Sequence, residues 1–396
     1  MKKLIISICL MLITVTGFAQ WTPLNSGTAN YLRSVYFSSA NIGYAVGYSG
    51  TILKTNNAGN SWTTQTSGVT NLLTSVYFTD DNTGYVVGDS GTVLKTINGG
   101  TNWTGQTSGT TNILKSVFFT NANTGYAVGG GFGYDGKFLK TVNGGTTWTV
   151  QASGTTDPLA SVYFTDANTG YIVGATGTIL KTNNAGTTWV TQTSGTTIHL
   201  YSVYFNDANV GYAVGGYYPN SIILKTINGG INWLAQTSGT TSHLHSVYFA
   251  NTNTGYVVSD NGIILKTSNG GTNWTSQTSG TINHLQSVYF TSPDTGYAVG
   301  DYGIILKTTN GGVGIKENQL QESEINIFPN PTNYNLTIET PDKATIEILN
   351  IEGQIIKIIN TADKQTTINV AYFASGIYFI KAKTDRGVVV KKFIKE

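Results

Sequence analysis

Residues 34–62 read SVYFSSANIGYAVGYSGTILKTNNAGNSW, and residues 75–103 repeat them as SVYFTDDNTGYVVGDSGTVLKTINGGTNW. The segment S-V-[YF]-F returns at Ser34, Ser75, Ser116, Ser161, Ser202, Ser246 and Ser287, and Gly-Tyr returns at Gly43, Gly84, Gly125, Gly170, Gly211, Gly255 and Gly296. L-K-T follows in each unit, from Leu53 to Leu306, and seven Trp close the pattern, from Trp21 to Trp274. Each unit of about 41 residues holds four short runs rich in Val, Ile, Thr and aromatics, separated by Gly, Asn, Asp and Ser clusters. Four strands in a unit of this length make a propeller blade. A helical repeat would need apolar residues three and four apart, which these runs lack. The sequence therefore predicts an all-β, seven-bladed propeller over residues 20–312.

Ring closure is legible too. The seventh unit stops at Gly312 without a Trp strand, whereas Trp21 and its strand precede the first S-V-Y-F. The N-terminal ribbon is expected to supply the outermost strand of the seventh blade, which would otherwise leave an open edge.

Composition sets the remaining boundaries. Residues 21–312 carry ten Lys or Arg and ten Asp but no Glu, whereas residues 325–396 carry sixteen charges. That step places a linker at 313–324 and a second domain at 325–396, whose short alternating strands suggest a small β-sandwich. Lys2 and Lys3 precede an apolar run over residues 4–15 and a small residue, Ala19, which reads as a signal peptide over 1–19. The single Cys, Cys9, lies inside that leader, so the mature chain is expected to have no thiol, no disulfide and no thiolate metal site. A net charge of +2 offers no field for nucleic acid, and no later apolar stretch is long enough to cross a bilayer. The expected product is secreted or displayed on the outer surface by way of the periplasm, as a monomer.

The turns before each Trp, such as T-N-N-A-G-N-S-W and T-I-N-G-G-T-N-W, resemble the Asp-box hairpin of sialidases and sortilin, with Asn in the Asp position. The whole unit resembles the seven-bladed repeats of photosystem II stability and assembly factors. That resemblance implies the fold. Those factors bind protein partners through a patch of Arg, and because Arg33 is the only Arg of the propeller, this feature does not carry over. At the other end, F-P-N-P with Pro329, Asn330 and Pro331, a turn at Gly353, S-G-I-Y with Gly376, and K-K-F with Lys391 and Lys392 resemble the type A sorting domain of type IX secretion systems. The resemblance implies passage through that machinery by way of residues 325–396.

Candidate chemistry is sparse. One Arg and no Glu before residue 317 exclude the Arg triad and Glu-activated Tyr of a sialidase. Asp89, Asp260 and Asp301 share the turn between the second and third strands. As an alternative function, an extracellular glycoside hydrolase or lyase would pair such acids across roughly 6.5–9.5 Å; the competing reading is solvated turn residues. The Asp-x-Asn-x-Gly turns at Asp80, Asp166 and Asp207 lack the downstream acid of a Ca²⁺ loop and read as Asx turns. His199, His243 and His284 recur three residues before the Ser of blades 5, 6 and 7, with His245 nearby. They are expected at the channel mouth, either gathered on a ligand such as a Zn²⁺ ion or simply exposed on the rim. No metal and no cofactor are expected. Insertions at 129–135 and 215–220 lengthen the same turn in blades 3 and 5 and add Phe132, Tyr134, Asp135, Tyr217 and Tyr218 on flexible glycine backbones, with Tyr48 and Tyr302 in the same turn position. Insertions in repeat proteins gather on the binding face. The expected function is accordingly a non-catalytic binding propeller that takes a glycan or a protein through this face.

Overall fold

A computed structural model describes residues 20–131, 136–217, 219–312, 325–340, 343–351, 353–361, 363–384 and 387–396. The expected leader at 1–19 and the linker at 313–324 lie outside the described residues. The chain divides into two compact units, Met1–Gly314 and Ile315–Glu396.

The first unit is seven four-stranded antiparallel sheets. Blade 1 runs Leu32–Phe37, Gly43–Gly47, Ile52–Thr55 and Thr63–Gln65, and blades 2 to 6 repeat that order. In blade 7 the fourth strand is Thr22–Leu24, paired with Ile305–Thr308 in the register Thr22 to Lys307, Pro23 to Leu306 and Leu24 to Ile305. The ends of the propeller chain are thus joined within one sheet, as the repeat count requires.

The repeated letters turn out to be contacts between blades. In S-V-[YF]-F the Val and the final Phe point into the apolar layer shared with a neighbour, where Phe78 of blade 2 stacks on Tyr44 of blade 1 at 3.9 Å. The Ser makes a polar ring. Each Ser Oγ accepts a hydrogen bond from the Val amide of the next blade at 3.3 Å, and Ser287 of blade 7 accepts from Val35 of blade 1. The L-K-T lysines, expected as strand-end charges, are inter-blade struts: Lys54 Nζ and Tyr44 Oη both donate to Gly99 O in the adjacent blade, at 2.6 and 2.9 Å. In the turns before Trp, Asn57 Oδ1 accepts from the Ser61 amide at 2.9 Å, so Asn does serve where the Asp box has Asp.

The third letter of S-V-[YF]-F forms a belt that closes on itself. Tyr36, Tyr77, Phe118, Tyr163, Tyr204, Tyr248 and Tyr289 stand side by side on the innermost strands, with neighbouring centroids 5.1–5.3 Å apart all the way round. Each phenol donates to the Phe carbonyl of the following blade at 2.9–3.0 Å. Burial pushes the Tyr77 and Tyr163 hydroxyls up to about 12, so the belt stays neutral.

The second unit has a three-stranded sheet, Asn326–Phe328, Asn335–Glu339 and Gln365–Asn369, and a four-stranded sheet in the order Ile355–Asn360, Thr345–Leu349, Gly376–Thr384, Gly387–Lys395. Leu336, Ile338, Ile346, Ile348, Ile380 and Phe393 fill its core, as the alternating pattern of a small sandwich requires. The F-P-N-P motif is tied to the last strand through Asn330, whose Nδ2 donates to Lys392 O and whose Oδ1 accepts from the Ile394 amide. Gly353 sits at φ +79° in the turn after Asn350 and donates its amide to Asn350 O, and Gly376 opens the long strand that pairs with Lys391 and Lys392.

Candidate functional site

The loop entering each innermost strand and the turn between the second and third strands meet on one face. Gly50 N donates to Asn71 O, and Thr176 N donates to His199 Nδ1 at 3.0 Å, each bond joining a turn to the entry loop of the next blade. In five blades the turn is a single tight 3-10 loop, Tyr48–Gly50, Asp89–Gly91, Ala175–Gly177, Asp260–Gly262 or Asp301–Gly303. Its middle residue is left-handed, with φ between 52° and 57° at Ser49, Ser90, Thr176, Asn261 and Tyr302.

Tyr48 and Tyr302 are therefore not equivalent, contrary to the expectation from sequence. Tyr48 is the first turn residue and Tyr302 the second, where a side chain other than Gly, Asn or Asp is strained by roughly 1–2 kcal/mol. Both are exposed, and they converge on Tyr31, with ring centroids 5.5 Å (Tyr48) and 4.9 Å (Tyr302) from it in edge-to-face contact. The blade 5 insertion is also not a flexible glycine loop. It extends the sheet into a ribbon, Gly211–Tyr217 paired with Asn220–Thr226, ending at the pair Tyr217 to Asn220. Tyr217 stands exposed at its tip, edge-on to His199 at 6.3 Å. Phe132, Tyr134, Asp135 and Tyr218 lie outside the described residues.

The histidines do not gather as a trio of His199, His243 and His284. His199 caps the turn of blade 4, whereas His243 and His284 join His245 around Asp260, at 3.5, 3.0 and 2.7 Å from its oxygens. These are ion-pair and hydrogen-bond distances. His284 Nδ1 also lies 3.1 Å from Asn261 N. It cannot serve both partners at once: protonated, it pairs with Asp260, and with a free lone pair it accepts from the amide. Burial works against the Asp260 charge, but the His245 hydrogen bond and the three imidazoles hold its carboxyl below the usual carboxylate range. That is the wrong direction for a general acid. Asp301 is buried and accepts from Gln286 Nε2 of the innermost strand at 3.5 Å, and Asp89 accepts from the Ser90 amide within its own turn. Asp80 and Asp166 are Asx caps, each accepting two backbone amides at 2.7–2.8 Å.

We expect Asp260→Asn to lower the unfolding free energy by about 1–2 kcal/mol at pH 7, the scale of a hydrogen bond to a charged group that is partly exposed. A depressed carboxyl stabilises above its unfolded pKa, and the contribution fades as pH falls through the folded value. Melts of the two proteins should therefore converge below the ordinary carboxylate range.

One set of functional candidates escaped sequence reasoning. The residue just before each Ser is the bulged residue of the innermost strand, and it differs in every blade: Arg33, Thr74, Lys115, Ala160, Tyr201, His245 and Gln286. Several of these side chains reach the mouth. Arg33 Nη2 donates to Tyr48 Oη at 3.0 Å with its guanidinium over that ring, His245 meets Asp260, and Gln286 meets Asp301. The signal was seven different residues in a column flanked by seven Leu and seven Ser.

The comparisons agree with this architecture. Residues 326–396 match the secretion system C-terminal sorting domain, which marks the chain for export to the cell surface or beyond and implicates the type IX machinery. No helix among the described residues is long and apolar enough to cross a membrane. No curated protein sequence matches the chain. Among solved structures, the chain is similar to YCF48 from Cyanidioschyzon merolae, at 19% identity with a TM-score of 0.60, over 73% of this chain and 98% of that one. It is also similar to YCF48 bound to D1 peptide, at 17% identity with a TM-score of 0.62, over 74% and 98%. A Niastella koreensis GH74 enzyme matches at 13% identity with a TM-score of 0.61, over 94% and 67%. These likenesses concern the fold. The sequence model of the photosynthesis system II assembly factor YCF48 family matches at residues 13–105, 103–194, 147–236 and 191–281. Since those matches span more than half of the chain, the protein belongs to that family and carries a secretion sorting domain at its C-terminal end.

Proposed function

We propose that this is an exported, non-catalytic binding propeller, released from or held at the outer surface after type IX passage, whose ligand contacts the face around the channel mouth. The observation that carries this reading is the contrast between scaffold and mouth. Leu, Ser, Val and Phe repeat in every innermost strand, while the bulged residue facing the mouth changes seven times. Exposed tyrosines stand at the same opening: Tyr48, Tyr217 and Tyr302. Aromatic platforms of this kind serve as anchors in recognition surfaces. A catalytic reading is poorly served, because Asp260 is held ionised by three imidazoles.

The test is a panel of polysaccharides and peptides, scored both for binding to the mature chain and for release of reducing ends. Binding without release, weakened about tenfold or more by joint Tyr48→Ala, Tyr217→Ala and Tyr302→Ala substitution with the melting temperature retained, is the expected result. Reducing-end release that disappears in Asp260→Asn or Asp301→Asn would establish a hydrolase or lyase instead.

A further inference from the structure

The charges at the mouth are not distributed evenly. On blade 6 the bulged position holds His245, whose Nε2 lies 2.7 Å from an Asp260 oxygen. On blades 1 and 3 the same position holds Arg33 and Lys115, and among the described residues neither has an acidic partner. Arg33 bonds only a phenol, Tyr48 Oη. Between them, on blade 2, Thr74 turns its hydroxyl onto the carbonyls of Val87 and Leu114, and Asp89 of the turn accepts from the Ser90 amide at 2.8 Å. Asp301 lies on the far side of Arg33, on blade 7, in a turn whose next residue is Tyr302. One arc of the mouth therefore carries two cations against one exposed carboxylate, Asp89, and the tyrosine cluster of Tyr31, Tyr48 and Tyr302 adjoins it.

We propose that this arc is the binding site for an acidic saccharide, its carboxylate seated by Arg33 and Lys115 and its ring stacked on Tyr48 or Tyr302. The proposal rests on the binding reading above and adds the ligand class. A guanidinium offers a carboxylate two parallel donors, which gives geometric specificity as well as charge. Burial holds the Lys115 ammonium below its usual range, and an arriving anion offsets that penalty. The exposed tyrosines are flat and carry hydroxyls, which suits the mixed apolar and polar faces of a sugar better than an aliphatic peptide side chain. Tyr302 keeps its ring at this site despite a left-handed backbone, φ +57°.

The experiment is titration of the mature full-length chain with oligogalacturonate, with the same oligomer after carboxyl reduction, with neutral cello-oligosaccharide, and with an acidic peptide. Binding of the uronate, loss of about tenfold or more on carboxyl reduction, a similar loss in Arg33→Gln and Lys115→Gln, and partial retention in Arg33→Lys are expected. Raised salt should weaken the uronate complex. Equal affinity for the carboxyl-reduced oligomer, or indifference to both cation substitutions, overturns the acidic-saccharide assignment. Preference for the acidic peptide overturns it as well. If Tyr48→Ala and Tyr302→Ala still abolish binding in either case, the mouth remains the binding face. If they do not, the broader reading falls with it. Melting temperatures of all variants separate loss of contact from loss of fold.

Discussion

A chain that begins at residue 29, and so lacks residues 20–28, should lose the cooperative unfolding transition of its propeller. The segment contributes the outer strand of blade 7 and Trp21, which is wholly buried against Tyr256, Phe290 and Leu306. Those residues belong to two blades, so the missing indole would open the layer between blades 6 and 7 as well as the edge of blade 7. Burying one Trp removes ~150–250 Å² from water, and at ~25 cal/mol per Å² this contributes about 4–6 kcal/mol, comparable with the net stability of a domain. Gln20 adds a tie across the seam by accepting from the Thr278 amide. The milder Trp21→Ala should cost about 3–5 kcal/mol. Calorimetry on both proteins checks this, and a truncated chain that melts like the intact one would show that the ring does not depend on its N-terminal strand.

The second large effect is expected from one methyl group. Carbon placed at Cβ of Gly88 would lie 2.1 Å from the Leu72 carbonyl oxygen, and five other blades show the same conflict at Gly47, Gly129, Gly174, Gly215 and Gly300. The obstacle is backbone, which cannot swing aside, so Gly88→Ala should destabilise by about 3 kcal/mol, the upper part of the range for overpacked sites. Blade 6 supplies the internal control. It has Ser259 at this position, with φ −149° and ψ 176°, and its hydroxyl donates to His243 O at 2.6 Å. The local backbone has shifted to turn the conflict into a hydrogen bond. Ser259→Gly should therefore cost far less than Gly88→Ala, about 1 kcal/mol. Denaturant melts of the pair decide the point.

The fold was legible because its determinants are repeated. Seven Trp, seven Leu-Lys-Thr triplets and one displaced strand state the blade count and the closure outright. What the letters did not reveal was reach between blades. Spacing alone could align His199, His243 and His284 in one column. It could not tell that His245, outside the column, would make the shortest contact with Asp260, because that depends on how far an adjacent turn projects over the innermost strand. Likewise, Tyr48 and Tyr302 belong to the same short turn, but a one-residue offset decides which of them is held left-handed. The blade 5 insertion looked pliable from its glycines and instead continues a ladder, since Gly215 and Gly216 pair with Ile222 and Ser221.

The belt of seven aromatic side chains has a bearing on what can ever be recognised here. Rings that touch their neighbours at 5.1–5.3 Å around a seven-membered circle lie little farther from its axis than from one another, which makes the belt a narrow aromatic waist. It lies about 10 Å below the mouth, the rise of the three residues from Arg33 to Tyr36. Whatever enters past the mouth meets a neutral aromatic wall at that depth, so charge can select a ligand only at the rim.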